Sequence, residues 1–90
     1  MLICEVVGHV WATKKEPALS GMKLMIVRGV APDGTPAKDT IVAADVVGAG
    51  IGERVLVVSG STARRAMGDN EPPVDAAIVG IIDSVEEVSG

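Results

Sequence analysis

The sequence predicts an all-β domain: a small closed or nearly closed antiparallel barrel of five strands, with one short helix before the last strand. Three observations carry this expectation. The apolar residues are mostly Val, Ile, Leu, Ala and Met, and side chains branched at Cβ suit a pleated surface. Eleven glycines and five prolines in 90 residues supply turns between short apolar runs. The element order matches no βαβ repeat, and closure removes exposed edges in so short a chain.

Residues 2–11, LICEVVGHVW, predict the first strand. Ile3, Glu5 and Val7 share one face, and Leu2, Cys4 and Val6 the other. The polar segment 12–21 holds Pro17 and Gly21 and is expected to be a loop. Residues 22–31 predict the second strand, where Met22, Leu24, Ile26 and Arg28 alternate with Lys23, Met25 and Val27. In APDGTP, Pro32 presets φ and Gly34 supplies a positive φ, so a turn follows. A third strand over 40–46 then makes a hairpin with a long loop. The run VGAGIG at 47–52 is a glycine-rich connection into a fourth strand over 53–59. GSTARRAMG at 60–68 is the helix, with Ser61 or Thr62 as cap and Gly68 at its end. DNEPP at 69–73 must be irregular. The last strand is expected over 74–88, and the run AAIVGIID within it predicts burial on both faces.

Ninety residues allow one domain, spanning 1–90, near the lower limit for a core that stands alone. Oligomerisation is a common remedy at this size. The net charge of −4 argues against nucleic acid, whose phosphates call for clustered Lys and Arg, and against a polybasic membrane patch. No stretch reaches the roughly 20 apolar residues of a spanning helix. Glu5 breaks the apolar start, and no basic segment precedes it, so a secretory signal is not expected. Cys4 has no cysteine to pair with and is expected to be a buried apolar residue in a reducing cytoplasm.

No constellation calls for catalysis or a cofactor. Gly48-Ala49-Gly50-Ile51-Gly52 has G-x-G-x-G spacing and leads into a strand, whereas a phosphate-binding loop needs a helix N-terminus. It is expected to be a tight turn or a close approach of backbones at a subunit contact. Ser59 or Ser61 with His9 would be a nucleophile and base, a pairing that a helix cap and a strand histidine explain more simply. One Cys and one His are too few for a closed zinc site, and Glu86-Glu87 is a solvated strand end. Arg64-Arg65 are surface charges, or one makes a bidentate contact with a partner's carboxylate or carbonyl. Small barrels also bind single strands or small ligands, but stacking platforms need aromatics, and Trp11 is the only one.

Three blocks read together resemble the EutN/CcmL family of bacterial microcompartment vertex proteins. They are GHVWATKK from Gly8 with GMKLMIV from Gly21, AADVVGAGIGERVLVVSGSTAR from Ala43 to Arg64, and PVDAAIVGIID from Pro73 to Asp83. The resemblance implies a five-stranded, OB-like barrel with a short helix, assembled as a homopentamer that plugs the fivefold vertices of a shell whose facets are hexameric shell proteins. It implies a structural protein, not an enzyme, in a cytoplasmic compartment of the carboxysome kind. An OB-like binding module for a small ligand or nucleic acid is the competing expectation. Gly48, Ala49, Gly50, Gly52 and Glu53 are the expected residues of the pentamer axis or subunit interface. The resemblance also implies that Gly60, Ser61 and Arg64 face the neighbouring hexamers.

Overall fold

The computed structural model describes residues 1–11, 17–19, 21–66 and 74–85, without the side chains of Ala18 and Arg64. Its strands are β1 (Leu2–His9), β2 (Leu24–Val30), β3 (Pro36–Asp45), β4 (Arg54–Ser59) and β5 (Ala76–Ile81). One helix, α1 (Gly60–Ala66), precedes β5, and a 3-10 turn covers Pro17–Leu19. The strands close into a barrel in the order β1-β2-β3-β5-β4. The expected segments at 12–16 and 69–73, the helix end at Gly68 and Glu86-Glu87 lie outside the described residues.

Four of the ladders are antiparallel, and β3 with β5 is parallel, Ala44 opposite Ala77 and Asp45 opposite Ile78. The antiparallel expectation is corrected at this one seam, for a topological reason. Directions that alternate around a ring of five strands cannot match at the closure, so one neighbouring pair must run the same way.

The barrel core follows the period of two. Cys4 and Val6, Met25 and Val27, Val55 and Val57, and Ala76 and Ile78 point inward with Ala43 and Ala49. A five-stranded barrel is narrow, and aliphatic side chains mixed with alanines fill it, in keeping with a chain that has neither Phe nor Tyr. β5 is buried on both faces over Ala76–Ile78, as its apolar run predicts, while Ile81 at its end is exposed. Ala76 and Ile78 face the barrel, while Ala77 packs outward with Val58 and Ala63 beneath α1.

Strand boundaries differ from expectation, most of all at β5, which covers Ala76–Ile81 instead of 74–88 (86–88 lie outside the described residues), and at the start of β3. The β2–β3 connection is short: Gly34 N–H donates to Ala31 O at 2.8 Å and Ala31 N–H to Thr35 O at 2.9 Å. Gly34 has φ 91°, and Asp33 accepts from Thr35 N–H at 2.9 Å, which lowers the Asp33 pKa. β3 therefore starts at Pro36 instead of residue 40. Its first seven residues are exposed and are held by pairing with β2, so no apolar alternation marks them. A proline is tolerated as the first residue of a strand. The helix starts at Gly60 as expected, but Ser61 and Thr62 lie in its first turn instead of capping it.

Burial pushes the Cys4 thiol above its ordinary 9.0. Above that value the unfolded chain loses the thiol proton while the folded chain keeps it. The folded state then binds more protons, and stability falls as pH rises. Urea midpoints compared at pH 8 and pH 10 should therefore fall further in the native chain than in Cys4→Ala. Equal declines would show that the thiol takes no part.

Candidate functional site

The glycine loop joins β3 to β4 across one end of the barrel, and Asp45 organises it. The Asp45 side chain is fully buried. Its Oδ1 accepts the N–H groups of Val47 and Gly48, both at 3.0 Å, and its Oδ2 accepts Ala49 N–H at 2.7 Å. Lys23, at the start of β2, completes the cage. Its Nζ stands 3.5 Å from Oδ2 and donates to Ala49 O at 3.0 Å. This buried carboxylate is hydrogen-bonded and paired, the condition under which burial of a charge is tolerated.

The second half of the loop is closed by Glu53. Its Oε1 accepts Gly50 N–H, and its own N–H donates to Gly50 O at 3.1 Å. Gly52 N–H donates to Val6 O at 2.8 Å, and Val6 N–H to Glu53 O at 3.0 Å, so the loop docks on β1. Gly48 and Gly52 have φ of 82° and 89°, a region that L side chains seldom enter.

This geometry settles the chemistry of the glycine run. Two carboxylates of the chain already hold the amide groups of Val47, Gly48, Ala49 and Gly50 that a phosphate would need. Apart from the exposed Glu53, the side chains the loop offers outward are apolar: Val46, Val47 and Ile51 are 45%, 40% and 59% exposed. Ala49 alone turns inward and is fully buried in the core, so its side chain anchors the loop within the subunit.

Gly60, Ser61 and Arg64 lie on α1 at the opposite end of the barrel. Gly60 has φ 65° and donates its N–H to Asp75 O at 2.8 Å, while Ser61 is exposed. The Arg64 side chain lies outside the described residues, and Arg65 is exposed. His9 and Ser59 are also at opposite ends. Leu2 pairs with Val57, so His9 at the far end of β1 is more than about 20 Å from Ser59 or Ser61. Within one subunit His9 therefore cannot activate either serine.

Two apolar grooves, about 210 Å³ beside Leu24, Val42 and Asp75 and about 370 Å³ beside Leu2, Val30 and Thr35, are open to solvent. Neither gathers the convergent polar groups of a ligand site. Among the described residues no three of His, Cys, Asp and Glu come together as a metal site, and no helix is long and apolar enough to cross a membrane.

Sequence reasoning located the loop and missed its organiser. The clue was present, because an Asp two to four residues before the amides of a glycine turn is Asx-turn chemistry. Lys23 carried no such clue, since its contact with Ala49 spans 26 residues.

The barrel fold and the sequence that builds it are shared with known proteins. The family profile described as "Ethanolamine utilisation protein EutN/carboxysome" matches residues 1–83. The carboxysome shell vertex protein CcmL of Synechocystis sp. is 47% identical over 90 residues, covering all of this chain and 90% of the relative. A solved carboxysome subunit, CcmL, superposes with a TM-score of 0.91 at 47% identity, covering 100% of this chain and 94% of that one. The GrpN pentameric microcompartment shell protein from Rhodospirillum rubrum gives 0.87 at 42% identity, covering 97% and 100%. The chain belongs to the EutN/CcmL family.

Proposed function

We propose that this chain is a structural protein, not an enzyme, that forms cyclic pentamers closing the fivefold vertices of a bacterial microcompartment shell in the cytoplasm. The observation that carries the proposal is the whole-chain similarity to shell vertex proteins, one of them described as pentameric. Geometry supplies the need: a sheet of hexamers stays flat, and fivefold units close it. The same ring remedies a small chain's limited core, because a cyclic interface buries apolar surface that one subunit leaves exposed.

Two surfaces divide the work. The loop of Gly48, Ala49, Gly50, Gly52 and Glu53, with its outward Val46, Val47 and Ile51, serves the contact between subunits around the axis. Gly60, Ser61 and Arg64, at the other end of the barrel, serve the contact with hexameric shell proteins. The exposure of Ser61 in the first turn of α1 supports the second assignment.

Native mass spectrometry tests the assembly directly. Five copies of the 9.2 kDa chain weigh about 46 kDa, and that species should dominate. A monomer at every accessible concentration would overturn the proposal. A pentamer that fails to join hexameric shell proteins on co-expression would overturn the vertex role alone.

A further inference from the structure

We infer that Asp45, with Lys23 as its counter-ion, is the positioning residue that gives the 46–52 loop the fixed shape its subunit contact needs. The inference rests on the pentamer proposed above and deepens it. All three amide groups that the buried Asp45 carboxylate accepts belong to loop residues 47, 48 and 49. Lys23 reaches past it to a loop carbonyl, that of Ala49. Neither side chain belongs to the apolar cluster that fills the barrel. A charge kept wholly out of water is costly unless its partners repay it, and here the partners are the backbone of one turn.

That turn holds Val46, Val47 and Ile51 out into solvent. Fixing exposed apolar side chains gains nothing for an isolated subunit. It gains affinity when a neighbouring copy covers them, because the ordering cost has been met before the subunits meet. The occupant is therefore a second copy of this chain, and Asp45 acts on the contact through the loop without touching the neighbour.

Asp45→Asn separates this role from a general structural one. The amide keeps one oxygen for Val47 and Gly48 but sets an N–H₂ against Ala49 N–H and the Lys23 ammonium. The variant should give the far-UV circular dichroism of the native barrel. In dilution series followed by native mass spectrometry, its pentamer should dissociate at a concentration about tenfold higher or more, the scale of losing a hydrogen bond to a charged group. Amide hydrogen exchange at Val47, Gly48 and Ala49, read in dilute monomer, should quicken by a similar factor while β4 and β5 stay protected. Lys23→Met with Asp45→Asn should recover part of the loss, because the donor facing the new amide is gone, and the double-mutant cycle measures that coupling.

An Asp45→Asn chain that pentamerises as the native one does would overturn the inference and leave the pentamer standing. A variant that fails to fold would overturn it as well, since Asp45 would then hold the barrel instead of the loop. A native chain that stays monomeric overturns the pentamer itself, and the exchange pattern then reports on the cage separately.

Discussion

Ile78→Ala is expected to lower the free energy of unfolding by about 2–5 kcal/mol, the range for truncating a large aliphatic side chain in a packed core. Ile78 is fully buried and sits on β5 at the closure of the barrel, where Asp45 of β3 lies on one side and Val57 of β4 on the other. Its carbonyl also accepts Val46 N–H at 3.4 Å, at the root of the glycine loop. The core around it is mainly valines and alanines held on strands, which have little freedom to collapse into the space left behind. A domain of this size has about 5–15 kcal/mol of stability in all, so the loss is a large fraction of the total. Urea unfolding at one fixed subunit concentration measures it, because an assembling protein gains apparent stability with concentration. Ile81→Ala, on the same strand but 39% exposed, should cost less than about 1 kcal/mol. Equal losses at the two positions would mean that the core is not organised around β5.

The contrast between Ile78 and Ile81 marks how much of this molecule its sequence discloses. Alternation alone sorts β1 and β2 into two faces, and burial then shows that Cys4, Val6, Met25 and Val27 are the inward ones. The AAIVGI run discloses a strand that is covered on both faces at Ala76–Ile78 but not at Ile81, and APDGTP discloses its own turn. The first half of β3 is silent for the opposite reason. Pro36, Ala37, Lys38, Asp39 and Thr40 are exposed, so no burial leaves a pattern, and only the ladder to β2 makes them a strand. At the site, the glycines announce a special backbone but not its cause. The cause is a charge pair between the start of β2 and the end of β3, and pairing of that kind is a property of the closed barrel. Asp45 reads locally as an Asx-turn residue before the glycines, but the Lys23 partner that balances its charge is visible only in the closed barrel.

Ala49→Leu is the second substitution expected to have a large effect, and it acts where core and loop are one structure. The methyl group of Ala49 is fully buried with the inward residues of the barrel, while its N–H is held by Asp45 at 2.7 Å and its carbonyl by Lys23 at 3.0 Å. A larger side chain cannot withdraw from the core without breaking both bonds, and it cannot stay without displacing strand residues. Overpacking of this kind typically costs about 1–3 kcal/mol. The loop would relieve it by lifting off, so the pentamer should be lost at concentrations where the native chain is assembled. Gly50→Val is the milder neighbour. A Cβ there would approach Glu53 Oε1 to 3.2 Å, and a flexible side chain can move aside. Thermal unfolding of the dilute, dissociated subunit and native mass spectrometry on the two variants separate these cases. Ala49→Leu should lower both the subunit's melting temperature and assembly, whereas Gly50→Val should weaken assembly with little change in the melting of the dissociated subunit. If Ala49→Leu melts and assembles like the native chain, the loop is not seated in the core, and the link from barrel packing to subunit contact does not hold.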